Sequence, residues 1–160
     1  MRNVTLMCVG KLKESFYRQA CEEYLKRLAP FCKVTVVEIP EERLPQNPSQ
    51  AQIDQALEKE AQAIQAKLSP GAKLVCLCIE GKLYSSVDLS HLISTWENTS
   101  AQTLVFLIGG SNGLHPSIKG QAWVRMSMSP MTFPHHLARV MVLEQIYRAY
   151  QIKAGSPYHK

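Results

Sequence analysis

Two uninterrupted apolar runs, Leu74–Ile79 and Thr103–Ile108, constrain this chain more than any other feature. Each has the length of a single strand, and neither alternates as a strand with one wet face does. Strands of this kind are buried on both sides, which calls for a parallel sheet covered by helices. The flanking sequence supplies the remaining layers. Val4–Val9 reads as a strand stopped at Gly10, and Lys33–Ile39 as a β-branched strand closed by Pro40. Between them, Tyr17, Ala20, Cys21, Tyr24 and Leu28 recur at helical spacing in Glu14–Leu28, ahead of Pro30. After a polar loop, Arg43–Ser49, a long helix capped by Asn47 or Ser49 runs to Leu68 and stops at Ser69-Pro70-Gly71. Asp88–Trp96 and Pro116–Ala122 read as short helices, Trp123–Ser127 as a short strand, and His135–Lys153 as a final helix behind Pro134. The expected fold is one α/β domain over residues 1–160, a mostly parallel sheet with helices on both faces.

Composition excludes several classes. With 46% hydrophobic and 19% charged residues the chain is globular rather than disordered. No apolar run reaches membrane-spanning length, and the start, Met1-Arg-Asn-Val-Thr-Leu6, lacks a signal peptide's apolar core; the expectation is a cytoplasmic protein without a membrane anchor. Five cysteines without CxxC spacing are neither a disulfide framework nor a zinc site, and no other ligand cluster predicts a metal. Cys76 and Cys78 alternate on one strand and read as core. Charge is unevenly spread. Residues 1–33 hold seven Lys/Arg against three acids, residues 34–100 five against nine, and residues 101–160 six against one. The basic ends suit either an anionic polymer or an ordinary solvated surface.

Chemistry concentrates in the last third. Thr103–Ile108 runs straight into Gly109-Gly110-Ser111-Asn112-Gly113, at a strand end where α/β sheets bind ligands. The pattern matches neither the dinucleotide nor the phosphate-loop fingerprint, so it is a ligand cradle or a plain turn. Leu77–Gly81 marks a second such strand end. Met126–Pro134 mixes methionines, prolines and hydroxyls, suited either to enclosing a flat heterocycle or to filling core gaps. The final helix is apolar around most of its circumference, the pattern of a buried or inter-subunit helix. Its polar exceptions are Arg139, with no evident partner, and Glu144 and Arg148, four apart and able to pair. The end, Tyr158-His159-Lys160, offers a stacking ring, a group titrating near neutrality and a cation, or else a frayed terminus.

In order, these segments are distinctive. Leu104–Leu114, Ser127–Arg139, Leu143–Ala149 and Pro157–Lys160, with Val9-Gly10-Lys11 and Ile79-Glu-Gly-Lys82, closely resemble the bacterial large-subunit rRNA pseudouridine N3-methyltransferases of the SPOUT class. The resemblance spans the chain, departing modestly at Asn112 and at Lys160, where some members carry Arg. It implies a homodimer that uses S-adenosylmethionine, with a C-terminal trefoil knot over about residues 74–160. By motif, the cofactor pocket falls on Leu77, Gly109, Gly110, Gly113, Ser127, Met128, Ser129, Pro130, Met131, Thr132 and Phe133. The implied substrate is pseudouridine in 23S rRNA of the assembled ribosome. Tyr158, His159 and Lys160 are then catalytic candidates near the partner's cofactor site, His159 as proton acceptor. Arg139 and Glu144 are candidates for substrate positioning. The competing readings are a non-catalytic RNA- or ribosome-binding module, favoured by the basic ends, and a dinucleotide oxidoreductase, opposed by the glycine pattern.

Overall fold

A computed structural model describes all of residues 1–160. Five strands form one parallel sheet: β1 (Asn3–Val9), β2 (Lys33–Ile39), β3 (Lys73–Leu83), β4 (Thr103–Ile108) and β5 (Val124–Ser127), in the order β2-β1-β4-β3-β5. The expected α/β class is what is found. The period-two geometry of strands sorts the apolar residues onto two faces. Val4, Leu6, Cys8, Leu104, Phe106, Ile108 and Val75 point to one core, and Met7, Val9, Val105, Leu107, Leu74 and Cys76 to the other. This is why the β3 and β4 runs show no polar alternation.

Helices α1 (Ser15–Leu28), α3 (Ser86–Glu97) and α5 (His135–Lys153) close the first core, contributing Leu28, Ile93, Trp96, Leu143 and Ile146. Helices α2 (Gln50–Lys67) and α4 (Pro116–Lys119) close the second with Ile64 and Ile118. Ser49, not Asn47, caps α2: its side chain accepts from the Gln52 N–H, and Gln52 reciprocates. Asn47 instead sits at φ 55° in the preceding turn. Helix α3 begins before the expected Asp88, because Asp88 is the third helical residue and caps back onto Ser85. No helix is long and apolar enough to cross a membrane.

One departure from expectation shapes the molecule. Leu77–Gly81 is not a strand end. Strand β3 pairs with β5 up to Leu77↔Met126, bulges, and resumes at Lys82↔Met126 and Leu83↔Ser127. Gly81 permits the bulge, since a Cβ there would lie 2.8 Å from the Arg125 and Met126 backbone. Cys78–Gly81 is thereby thrown out over the carboxyl edge of the sheet. Cys78 is half-buried there rather than in the core with Cys76.

Candidate active site

The chain reaches β4 from β3 through α3, then steps outward over β3 to β5, so connections change direction around the carboxyl ends of these strands. Open α/β sheets leave a crevice at such a place. Here it is a cavity of about 660 Å³, with three walls. The β3 bulge supplies Leu77–Glu80, the turn after β4 supplies Gly109–Leu114, and the segment from β5 into α5 supplies Met126–Ser129 and Met131–His135. Of the eleven residues expected to hold a cofactor, ten line this cavity; Pro130 is exposed outside it.

Backbone geometry explains the glycines. The turn closes on itself through the Gly113 N–H donating to the Gly110 carbonyl at 3.0 Å, with Gly113 at φ +79°. A Cβ on Gly109 would lie 2.6 Å from the Gly113 carbonyl oxygen. Gly109 is therefore required by the loop's own approach to itself. Glu41, from the loop after β2, braces the same turn: its Oε1 accepts from the Ser111 N–H at 3.4 Å and the Ser111 hydroxyl at 3.3 Å. No local pattern around Glu41 announces this contact, which spans seventy residues.

The segment after β5 is held by its hydroxyls. Ser127 Oγ donates to the Ser129 carbonyl at 3.0 Å, and Ser129 Oγ accepts from the Met131 N–H at 2.9 Å. These short bonds support an irregular backbone that presents Met128, Thr132 and Phe133 to the cavity. At the rim, Lys119 and Glu80 pair at 2.7 Å. The bond from Lys119 holds the Glu80 carboxyl below the usual range. His135, on the wall where α5 begins, has its imidazole pKa lowered, chiefly by burial and then by His136.

The family model described as a predicted SPOUT methyltransferase matches residues 2–159. The chain belongs to that family. A solved structure titled as a probable methyltransferase from Bordetella pertussis Tohama I is similar at 14% identity and a TM-score of 0.53, covering 92% of this chain and 93% of that one. At this identity the likeness shows the shared fold alone. SPOUT methyltransferases in general use S-adenosylmethionine. The cavity fits such a group: its volume lies within the range of small-ligand sites, its walls are apolar at Leu77, Ile108, Met126 and Met128, and backbone and hydroxyl groups edge it.

The remaining candidates of this SPOUT chain lie elsewhere. Arg139 is not unpartnered, as its sequence context implied. It is 4% exposed, pairs with Glu38 Oε2 at 2.7 Å, and donates to the Gly10 carbonyl at 3.2 Å. It ties the start of α5 to the β1–α1 loop and offers no free charge to a substrate. Glu144 is likewise engaged, accepting from Arg148 at 2.9 Å and from the Tyr158 hydroxyl at 3.0 Å. Burial and this bond raise the Tyr158 pKa. The Arg148 guanidinium also stacks on the Tyr158 ring at 4.8 Å and donates to His159 Nδ1 at 3.2 Å. Because arginine only donates, Nδ1 accepts, and the ring proton sits on Nε2. The tail is thus folded onto the far half of α5. Ala138 lines the cavity and Arg148 holds the tail, ten residues apart along the helix. At about 1.5 Å per residue the separation is about 15 Å, so the structure does not bring the tail to its own chain's cavity.

Proposed function

We propose that this protein is a homodimeric, S-adenosylmethionine-dependent methyltransferase of the cytoplasm, knotted over about residues 74–160, that methylates N3 of a pseudouridine in 23S rRNA of the assembled ribosome. The observation that carries the cofactor part is the cavity closed by Leu77, Gly109–Gly113 and Ser127–Phe133 at the carboxyl edge of the sheet. The specific substrate rests on the sequence resemblance, to which the basic ends of the chain and the single carboxylate of residues 101–160 lend support.

Bound S-adenosylmethionine supplies an electrophilic methyl group on sulfur. To receive that methyl group, the pseudouridine N3 imide would have to give up its proton. The protein's share is alignment and disposal of that proton. Met128, Thr132 and Phe133 enclose one side of the cavity, and Glu41 stiffens the turn opposite. For His159 Nδ1 to accept the proton, it has to give up the bond from Arg148, while Tyr158 can stay on Glu144. A homodimer supplies the tail from the partner. Large apolar side chains left exposed, Ile79 and Met131 on the cavity wall and Leu83 and Val87 farther along the chain, suit contact with a second subunit.

The test is transfer of labelled methyl from S-adenosylmethionine to intact ribosomes, with the product nucleoside mapped by mass spectrometry. Ribosome binding without incorporation would favour the non-catalytic module instead. Mixing a subunit lacking Ser156–Lys160 with one carrying Gly109→Trp should restore activity absent from each alone. Failure to do so, with both proteins folded and mixed dimers formed, refutes the shared site.

A further inference from the structure

Phe16 is the residue that the site leaves unexplained. It stands in the first turn of α1 with 63% of its surface exposed, although the cores behind it are closed. Its surroundings differ from the aliphatic patch beside the cavity. Lys11 and Lys13 precede it on the β1–α1 loop and Arg18 shares its turn; all three are exposed, and none forms an ion pair. Of the carboxylates nearby, Glu38 is committed to Arg139 and the Leu12 N–H, Glu14 turns its Oε2 inward to a buried position, and Glu22, one turn beyond Arg18, is exposed. Behind Phe16 lies a continuous aromatic line. Its ring is 4.4 Å from Tyr17, Tyr17 is 6.2 Å from His136, and His136 is 4.1 Å from His135, which lines the cavity.

We infer that Phe16, with Lys11, Lys13 and Arg18, is a docking platform for single-stranded RNA leading into the cavity, a proposal that rests on the RNA-methyltransferase reading above. An exposed ring takes any base on its π face, and the cations take the adjoining phosphates. The exposed side chains next to Phe16 along the chain include Lys11, Lys13 and Arg18, none in an ion pair, which suits a polyanion better than an apolar protein partner. The ring is backed by Tyr17, which keeps it in place for stacking.

The test uses a 5′-fluorescein-labelled uridine 12-mer in fluorescence anisotropy across a salt series, with calorimetry of S-adenosylmethionine on the same proteins. Wild type binds the oligomer with salt-dependent affinity. Phe16→Ala weakens it about 5- to 150-fold, and Phe16→Trp retains it. Phe16→Leu behaves like the alanine variant, since it is apolar but cannot stack. Lys13→Ala with Arg18→Ala flattens the log–log salt slope by about 1.4. Cofactor affinity is unchanged in all of them, because none of these residues lines the cavity. The platform is overturned if wild type binds no RNA, if Phe16→Ala binds as wild type does, if Phe16→Leu restores binding, or if light scattering shows that Phe16→Ala alters only the oligomeric state. A wild type that binds RNA but no S-adenosylmethionine instead refutes the function on which the platform rests.

Discussion

Replacing Glu38 should cost more than replacing Arg139, although the two residues form one ion pair. Arg139 is 4% exposed and its Nε has no partner, so without Glu38 the guanidinium is left buried with only the Gly10 carbonyl. Glu38 is 37% exposed and keeps the Leu12 N–H at 3.1 Å, so without Arg139 it still has water and one donor. Removing one partner of a fully buried pair costs about 3–5 kcal/mol. The solvent-screened side of this pair places Glu38→Leu near the lower end, about 3 kcal/mol, and Arg139→Met near about 1 kcal/mol. For a chain of this size the melting temperature falls by about 6–12 °C and about 2–4 °C respectively. The double variant Glu38→Leu/Arg139→Met, with no stranded charge, recovers to within about 1 kcal/mol of wild type. Urea denaturation of the four proteins forms the cycle. pH adds a second readout. Burial pushes the Glu38 pKa up, but the bonds from Arg139 and Leu12 outweigh it and hold it low. A carboxylate depressed in the folded state contributes stability above its unfolded pKa, about 4.3, and loses it as pH falls through the folded value. That acid-sensitive component should vanish in Glu38→Leu. An Arg139→Met variant as unstable as Glu38→Leu refutes the assignment of the cost to a stranded arginine.

Three other perturbations test the site. Gly109→Ala puts a Cβ 2.6 Å from the Gly113 carbonyl, so the turn has to shift; S-adenosylmethionine affinity should fall at least about tenfold in calorimetry, and unchanged affinity would mean the turn does not touch the ligand. Deleting Ser156–Lys160 removes the Tyr158–Glu144 and His159–Arg148 contacts but no core residue, so the melting temperature should drop by about 4 °C or less while transfer is lost; a larger drop would make the tail structural. Burial pushes the Cys8 and Cys76 thiols up to about 12 and raises Cys78 less. A thiol reagent at neutral pH should therefore label Cys78 first, and S-adenosylmethionine should protect it, since it lines the cavity. Because these thiols stay protonated when folded, stability should decline as pH rises above about 8.5, where the unfolded chain's thiols ionise.

The sheet was legible because its signal is local. Lys33–Ile39 and Thr103–Ile108 need only their own composition and flanking breakers, and both are strands over those residues. The cavity was legible by motif for the same reason, since the glycine turn and the Ser127–Phe133 segment are contiguous in sequence. What escaped depends on distant approach. Strand β3 resumes after its bulge only because β5 lies alongside at Met126 and Ser127. The partner of Arg139 is 101 residues away on β2, and Glu41 reaches the glycine turn from a loop with no repeating pattern. Hydrophobic periodicity carries no record of such pairs.

The helix α5 joins these two kinds of information. It is apolar around most of its girth, yet its buried apolar residues, Val142, Leu143, Ile146, Ala149 and Tyr150, occupy only the side facing β4, α1 and α3. Leu137, Met141 and Ile152 remain only partly covered and do not pack against that core. A helix that needed to serve its own core alone would carry polar residues at those positions. Its two ends also do different work, since the first turns wall the cavity and the last hold the tail through Arg148 and Glu144. A rigid rod keeps those ends apart within one subunit, while an apolar flank lets a second subunit pack along it. Antiparallel two-fold pairing along such a flank would set each tail beside the other chain's cavity, giving the composite site we propose and the apolar face a common solution. Replacing Met141 by Glu should accordingly lower both the dimer fraction in light scattering and methyl transfer, while leaving the monomer's cavity able to bind S-adenosylmethionine. A dimer untouched by that charge would place the subunit contact elsewhere and remove this argument for the shared site.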